Sequence, residues 1–230
     1  MNELTGSRPL LLPRTAAVVA IGAVTVSLAS MALLHAVAAS RISPLGDTVS
    51  SYVHADGGAE LLAVGTLALA FGFAAVAYGL VATGVRVDRA TRTLAAVWLF
   101  ALVCVVSFPA DVVGGPRTFP GVLHNWAGGS VFVCLPAAGW RLSGALTGHW
   151  QGIARTVRVL ALGAGVALLA FVVTHPPITR WYGGTALHGL SERVLLVLQV
   201  GIVLVLSHRL LRYADPQQTP ARAARPEVLR

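Results

Sequence analysis

The stretch AELLAVGTLALAFGFAAVAYGLVAT, Ala59 to Thr83, decides the fold. It carries one acid in its first turn and no charge after that. It is also longer than the about 20 predominantly apolar residues that a bilayer-crossing helix needs. Counting Gly58 just ahead of it, glycines fall at 58, 65, 72 and 79, an unbroken seven-residue period. Ala68, Ala75 and Ala82 follow the last three of these at a spacing of three. Small residues in such a seam let a second helix backbone approach closely, and the seven-residue period suits a left-handed crossing. The preceding apolar run offers a matching strip at Ala16, Ala20, Ala23, Ser27 and Ser30. The two helices are therefore expected to pack on each other. An abundance of Gly and Ala explains their number but not their period.

Outward from this stretch the pattern repeats. Six apolar runs of helix length are present: Arg14–Ala38, Ala59–Thr83, Thr91–Phe108, Gly121–Trp140, Ile153–Val173 and Leu187–Leu211. Of the 230 residues 56% are hydrophobic and 11% charged, against about a quarter charged in soluble domains. Backbone amides in lipid must be satisfied within the segment, so the runs are read as helices rather than strands. The expectation is an all-α bundle of six transmembrane helices over residues 14–211. Residues 1–13 form a cytoplasmic N-terminus, and residues 212–230, rich in Pro and Arg, a disordered cytoplasmic tail.

Orientation follows from arginine, which supplies all 17 basic residues. With both termini cytoplasmic, 13 arginines lie inside and four outside, namely Arg41, Arg117, Arg180 and Arg193. That asymmetry is the one cytoplasmic loops show. A competing reading takes the first run and HAVAAS as a cleaved signal peptide. Its apolar stretch of about 20 residues exceeds the 7–15 usual for such a peptide. The net charge of +8 raises nucleic acid as a partner, but the arginines sit between apolar runs without interleaved aromatics, so that class is set aside. Cys104 and Cys134 lie inside two runs without metal-type spacing and are read as buried free thiols.

Acids and histidines gather in the links assigned to the outer face. The first link holds Asp47, Tyr52, His54, Asp56 and Glu60. The second, FPADVVGGPRTFPGVLHNWAGG (Phe108–Gly129), holds Asp111, Arg117 and His124. Pro109 ends the third helix there, and Phe119-Pro120 opens the fourth. The third link holds His175, Arg180, Trp181, Tyr182, His188, Glu192 and Arg193. His188, Glu192 and Gln199 share one face of the last helix, and intramembrane polar groups usually face the bundle interior. Arg193 lies about 10 Å into that helix at 1.5 Å per residue. A carboxylate partner is expected for it, Asp111 or Asp47. Glu192 is adjacent to it and about 100° away around the helix.

A polar cap assembled from Asp47, Asp111, Arg117, His124, His188, Glu192 and Arg193 is therefore expected. One reading makes it purely architectural, with acids holding Arg193 and a histidine. A second makes it a site for a lipid headgroup or small ligand. A third makes it a metal-dependent hydrolase, with His54, His124 and His188 as ligands and Asp111 or Glu192 as base. Against the third, no HExxH or HxxxH pair occurs. A haem-bearing electron carrier finds histidines such as His35 in the outer half but only His149 and His208 in the inner half. No phosphate-binding loop supports a primary transporter.

SPLGDTVSSYV (Ser43–Val53), FPAD with LHNWAG downstream (Phe108–Gly128) and HGLSERVLL (His188–Leu196) resemble the bacterial membrane family called domain of unknown function 998. The likeness spans about Arg14 to Leu211. It implies a six-helix membrane fold and no activity, substrate or cofactor. A looser similarity reaches the six-helix Frag1/DRAM/Sfk1 group, linked to lipid organisation and autophagy. Asp47, Ser50, Asp111, His124, Glu192 and Arg193 fall inside the resembling motifs. The reading that results is a multi-pass protein of the bacterial cytoplasmic membrane without a cofactor. It binds membrane lipids or a small ligand at the cap, and homo-oligomerisation is open; the hydrolase is the alternative.

Overall fold

The computed structural model describes residues 11–112, 114–175 and 187–214. Arg180, Trp181 and Tyr182, most of the expected N-terminal segment and most of the expected disordered tail lie outside these. Among the described residues the regular structure is all helix, with no strand. Six long helices follow one another: α1 Leu11–Val37, α2 Gly58–Ala82, α3 Arg89–Ser107, α4 Phe119–Ala145, α5 Gln151–Val173 and α6 His188–Tyr213. Two short 3-10 turns, Val49–His54 and Gly148–Trp150, precede α2 and α5.

Five of the long helices, all but α4, are long and apolar enough to cross a membrane. The first half of α4 is diluted by His124, Asn125, Gly128, Gly129 and Ser130, and Pro136 sits inside the helix. Large apolar side chains also face outward, among them Phe71, Phe100, Trp126, Val166 and Leu169. A water-facing protein rarely exposes contiguous apolar surface on that scale.

Helix ends follow local chemistry. Asp88 caps α3 by accepting the Thr91 amide at 2.8 Å, and its other oxygen meets Arg141 of α4. Thr118 caps α4 through the Gly121 amide at 3.1 Å, with Pro120 in the first turn, where its missing N–H costs nothing. The third helix stops at Ser107, before the Phe108-Pro109 step, because the residue before a proline is pushed out of the helical region.

The expected α1–α2 seam is present. A Cβ added at Gly65 would lie 3.2 Å from that of Ser30. One at Gly72 would lie 3.1 Å from that of Ala23 and 3.2 Å from the Ala20 carbonyl oxygen. One at Gly79 would lie 3.2 Å from that of Ala16 and would collide with Leu210 of α6. The same contacts put the start of α1, the end of α2 and the end of α6 at one level. Successive helices pack as neighbours, and α6 also meets α1, α2 and α4, which makes it the post of the bundle.

The main core includes Val24, Val76, Trp98, Leu135, Val157, Ile202 and Leu206. Phe73 and Trp98 pack with ring centroids 4.8 Å apart. The Trp98 indole N–H donates to Gln199 Oε1 at 3.1 Å, tying α3 to α6, while Gln199 Nε2 is buried without a partner among the described residues. A second cluster, Leu34, Ala38, Ile42, Val49, Tyr52 and Leu62, lies under the loop between α1 and α2.

Candidate functional site

The α1–α2 loop is built to be held from below. The Asp47 carboxylate accepts the Ser43 amide at 2.8 Å, while the Asp47 amide donates to the Ser43 carbonyl at 2.9 Å, closing a tight turn. Thr48 shares hydroxyl contacts with Ser50 and Ser51 at 2.9 and 3.0 Å. The 3-10 turn that follows buries Tyr52 completely. Gly57, at φ 69°, then redirects the chain into α2 in the left-handed region open to glycine.

The first turns of α6 do the holding. Leu187, the N-cap residue of this helix, offers no side-chain acceptor, so its leading amides need acceptors from elsewhere. The Leu190 amide donates to the Leu45 carbonyl at 3.0 Å. Glu192, buried, accepts the Val49 amide at 2.7 Å and so supplies the cap that Thr48 does not give the 3-10 turn. Arg193 reaches back to the same loop. Its Nη1 donates to the Asp47 carbonyl at 2.7 Å and the Gly189 carbonyl at 3.0 Å, and its Nη2 to the Tyr52 hydroxyl at 3.3 Å. Its Nε donates to His35 Nε2 at 2.9 Å, and the guanidinium lies 5.6 Å from the centre of the Tyr52 ring. His35 Nδ1 is fixed in turn on the Met31 carbonyl at 2.7 Å, so its Nε2 accepts the Arg193 bond. Gly189 has no room for a side chain, because a Cβ there would strike the Asp47 carbonyl.

The carboxylate partner expected for Arg193 is not what holds it. The Asp47 carboxylate is turned to Ser43, and only its backbone carbonyl meets the guanidinium. Asp111 serves the α3–α4 link instead, accepting from the Thr118 hydroxyl at 2.6 Å and the Thr118 amide at 3.2 Å. Those bonds, with lesser help from the charges of Arg117 and His124, hold its carboxyl below the usual range. Arg117 is exposed. His124 is buried, with Nδ1 2.8 Å from the Phe108 carbonyl, which staples the start of α4 to the end of α3.

His188 belongs to a third group. It is buried, stacks on Phe171 with centroids 4.2 Å apart, and places Nδ1 3.3 Å from the Thr174 hydroxyl. His175 meets it edge-on at 5.4 Å, and the Ser191 hydroxyl lies 3.2 Å from that of Thr174. His188, Glu192 and Gln199 share the inward face of α6, as their spacing predicts. Both cysteines are free, Cys134 buried and Cys104 partly so.

The expected cap is thus three separate clasps. Asp47, Glu192 and Arg193 meet in one, Asp111 and His124 form the second, and His188 the third. His54 is exposed at the end of its turn, and among the described residues no three His, Cys, Asp or Glu side chains gather as metal ligands. His54, His124 and His188 are therefore not brought together. Sequence reasoning missed His35 and Tyr52 as the partners of Arg193. A signal existed, since both lie in apolar surroundings at the level where α1 ends and the loop turns back.

Two of the motifs, SPLGDTVSSYV and HGLSERVLL, face each other across the Arg193 clasp, and the third, FPAD with LHNWAG, closes on itself through Asp111 and His124. No curated protein and no solved structure matches the chain. A family model described as a protein of unknown function, DUF998, matches residues 11–209, and the chain belongs to that family.

Proposed function

We propose that the protein is a non-enzymatic multi-pass protein of the bacterial cytoplasmic membrane, with six crossings and both termini cytoplasmic, that binds an anionic group at Arg193. The anion is a lipid headgroup or a small free ligand. Supporting the crossing number are the five strongly apolar helices and a 27-residue α4 packed among them. Supporting the orientation is the excess of arginine at the end shared by the start of α1 and the end of α6.

The observation that carries the reading is the company Arg193 keeps. A guanidinium has five N–H donors, and four bonds occupy them, all to neutral acceptors: a histidine, two carbonyls and a phenol. Among the described residues it forms no ion pair. Among the described residues one Nη2 donor remains for an oxyanion, although the Glu192 carboxyl already acts on the guanidinium's charge, and arginine suits carboxylate or phosphate recognition. No comparable geometry favours the hydrolase alternative.

The test is native mass spectrometry of the full chain released from mild detergent, as wild type, Arg193→Gln and Arg193→Lys. The wild type is expected to carry a bound anionic species that R193Q loses and R193K, which keeps the charge, retains in part. The mass of that species separates a lipid from a free phosphate or carboxylate. Identical adducts on wild type and on an R193Q protein that remains monodisperse would sink the proposal.

A further inference from the structure

At the opposite end of the bundle, α2 and α3 leave a crevice between them. It measures about 570 Å³, counting the open space at its mouth. Val76 and Leu80 of α2, Ala95 of α3, Leu142 of α4 and Leu206 of α6 line it, so its walls are almost wholly hydrocarbon. Arg92 stands on its rim. The crevice exists because the glycine face of α2 is spent on α1, leaving α2 packed far more closely there than on α3.

We infer that this crevice is a specific site for an anionic glycerophospholipid, with one acyl chain lying between α2 and α3 and the phosphate on Arg92. Three observations select this occupant. The walls offer a bound molecule dispersion contacts and no hydrogen bonds, which suits an acyl chain. The crevice opens on the flank of helices apolar enough to cross a membrane, where acyl chains are the surrounding medium. Finally, Arg86, Arg89 and Arg92 are exposed around the α2–α3 turn, and none forms an ion pair among the described residues. The one acid within that turn, Asp88, is engaged by Thr91 and Arg141. Arg92 therefore brings positive charge without an ion pair among the described residues to the rim of an apolar slot, with Arg86 and Arg89 in the same turn. A zwitterionic lipid fits the slot but gains little from that rim.

The site is independent of Arg193, so the two fail separately. The full chain in detergent is offered phosphatidylglycerol and phosphatidylcholine with identical acyl chains at equal concentration, and retained lipid is counted by native mass spectrometry. Each arginine near a membrane surface is worth about a fivefold preference for an anionic lipid. The wild type is expected to retain phosphatidylglycerol over phosphatidylcholine by about that factor or more. Arg92→Gln should cut the preference about fivefold, and Ala95→Phe, which fills the slot from α3, should abolish retention of both lipids. Arg193→Gln should leave the preference unchanged. Equal retention of the two lipids by the wild type, or a preference that R92Q leaves unchanged, overturns the assignment. R92Q alters an exposed side chain, so it decides the matter even if A95F fails to fold.

Discussion

Replacing Gly189 by alanine should open the clasp between α6 and the α1–α2 loop. A Cβ at this position collides with the Asp47 carbonyl oxygen, approaches the Asp47 carbonyl carbon to 2.9 Å and comes within 2.8 Å of Arg193 Nη1. Carbon–oxygen contacts settle at about 3.3–3.6 Å, so the loop must retreat by about 1 Å or more. That movement stretches the 2.7 Å bond from Arg193 to Asp47 beyond hydrogen-bonding range. It also pulls on the Val49 amide, two residues further on, which Glu192 holds at 2.7 Å. A hydrogen bond to a charged group contributes about 1.5–3 kcal/mol. Losing one and weakening the other amounts to about 3 kcal/mol, or a fall in Tm of roughly 6–12 °C for a domain of this size. The assay is thermal unfolding of the full chain in detergent, read by the fraction remaining monodisperse. Gly201→Ala is the control on the same helix: its Cβ would meet only the flexible Leu160 side chain at 3.4 Å. Alanine in a helix interior is favoured over glycine, so that variant should match or exceed the wild type. If G189A melts with G201A, the clasp does not hold the loop and the reasoning is wrong.

Other perturbations probe the rest of the bundle. Gly72→Leu should force α1 and α2 apart at a cost of about 1–3 kcal/mol, whereas Gly22→Leu, with nothing within 4 Å of its Cβ, should be tolerated; equal melting of the two in the same unfolding assay would contradict the seam. Gln199→Leu strands the buried Trp98 N–H at about 1–3 kcal/mol, and the double variant W98F/Q199L should recover most of that loss, an outcome that thermal unfolding of the three chains decides. Asp88 has its pKa lowered from 3.8 to about 2, first by Thr91 and then by Arg141. Its folded value lies below its unfolded one, so its contribution is present above pH about 4 and lost as pH falls through about 2. Asp88→Asn should therefore flatten the stability profile across that window, and an unchanged acid limb would count against the Asp88–Arg141 tie.

What the sequence disclosed was governed by periodicity. The α1–α2 seam was legible because close helix approach requires small residues at a fixed repeat, and both faces show them. The inward face of α6 was legible because His188, Glu192 and Gln199 return to the same side of a helix. The partner of Arg193 was not. Its bonds go to backbone carbonyls, which every residue carries, and to His35 and Tyr52, 158 and 141 positions away along the chain. Charge matching pointed to Asp47 and Asp111, yet a short carboxylate serves its own turn first when a neighbouring amide or hydroxyl is closer. Among the described residues the first link meets α6 through Asp47, Glu192 and Arg193, while Asp111 and His124 close within the second link, an arrangement that spacing along the chain does not disclose.

The position of α6 in the chain bears on how the protein is made. Every helix that α6 touches, α1 through α5, leaves the ribosome before it. The α1–α2 hairpin can zip along its glycines as soon as both helices are in the bilayer, but the α1–α2 loop has no holder then. Tyr52 and the Val49 amide wait through the synthesis of more than 130 further residues for Glu192 and Arg193. A nascent chain is thus left with this loop unheld until α6 inserts. Truncation within α6 should yield a hairpin that is correctly paired, yet open to proteases and membrane quality control along the segment from Ser43 to His54.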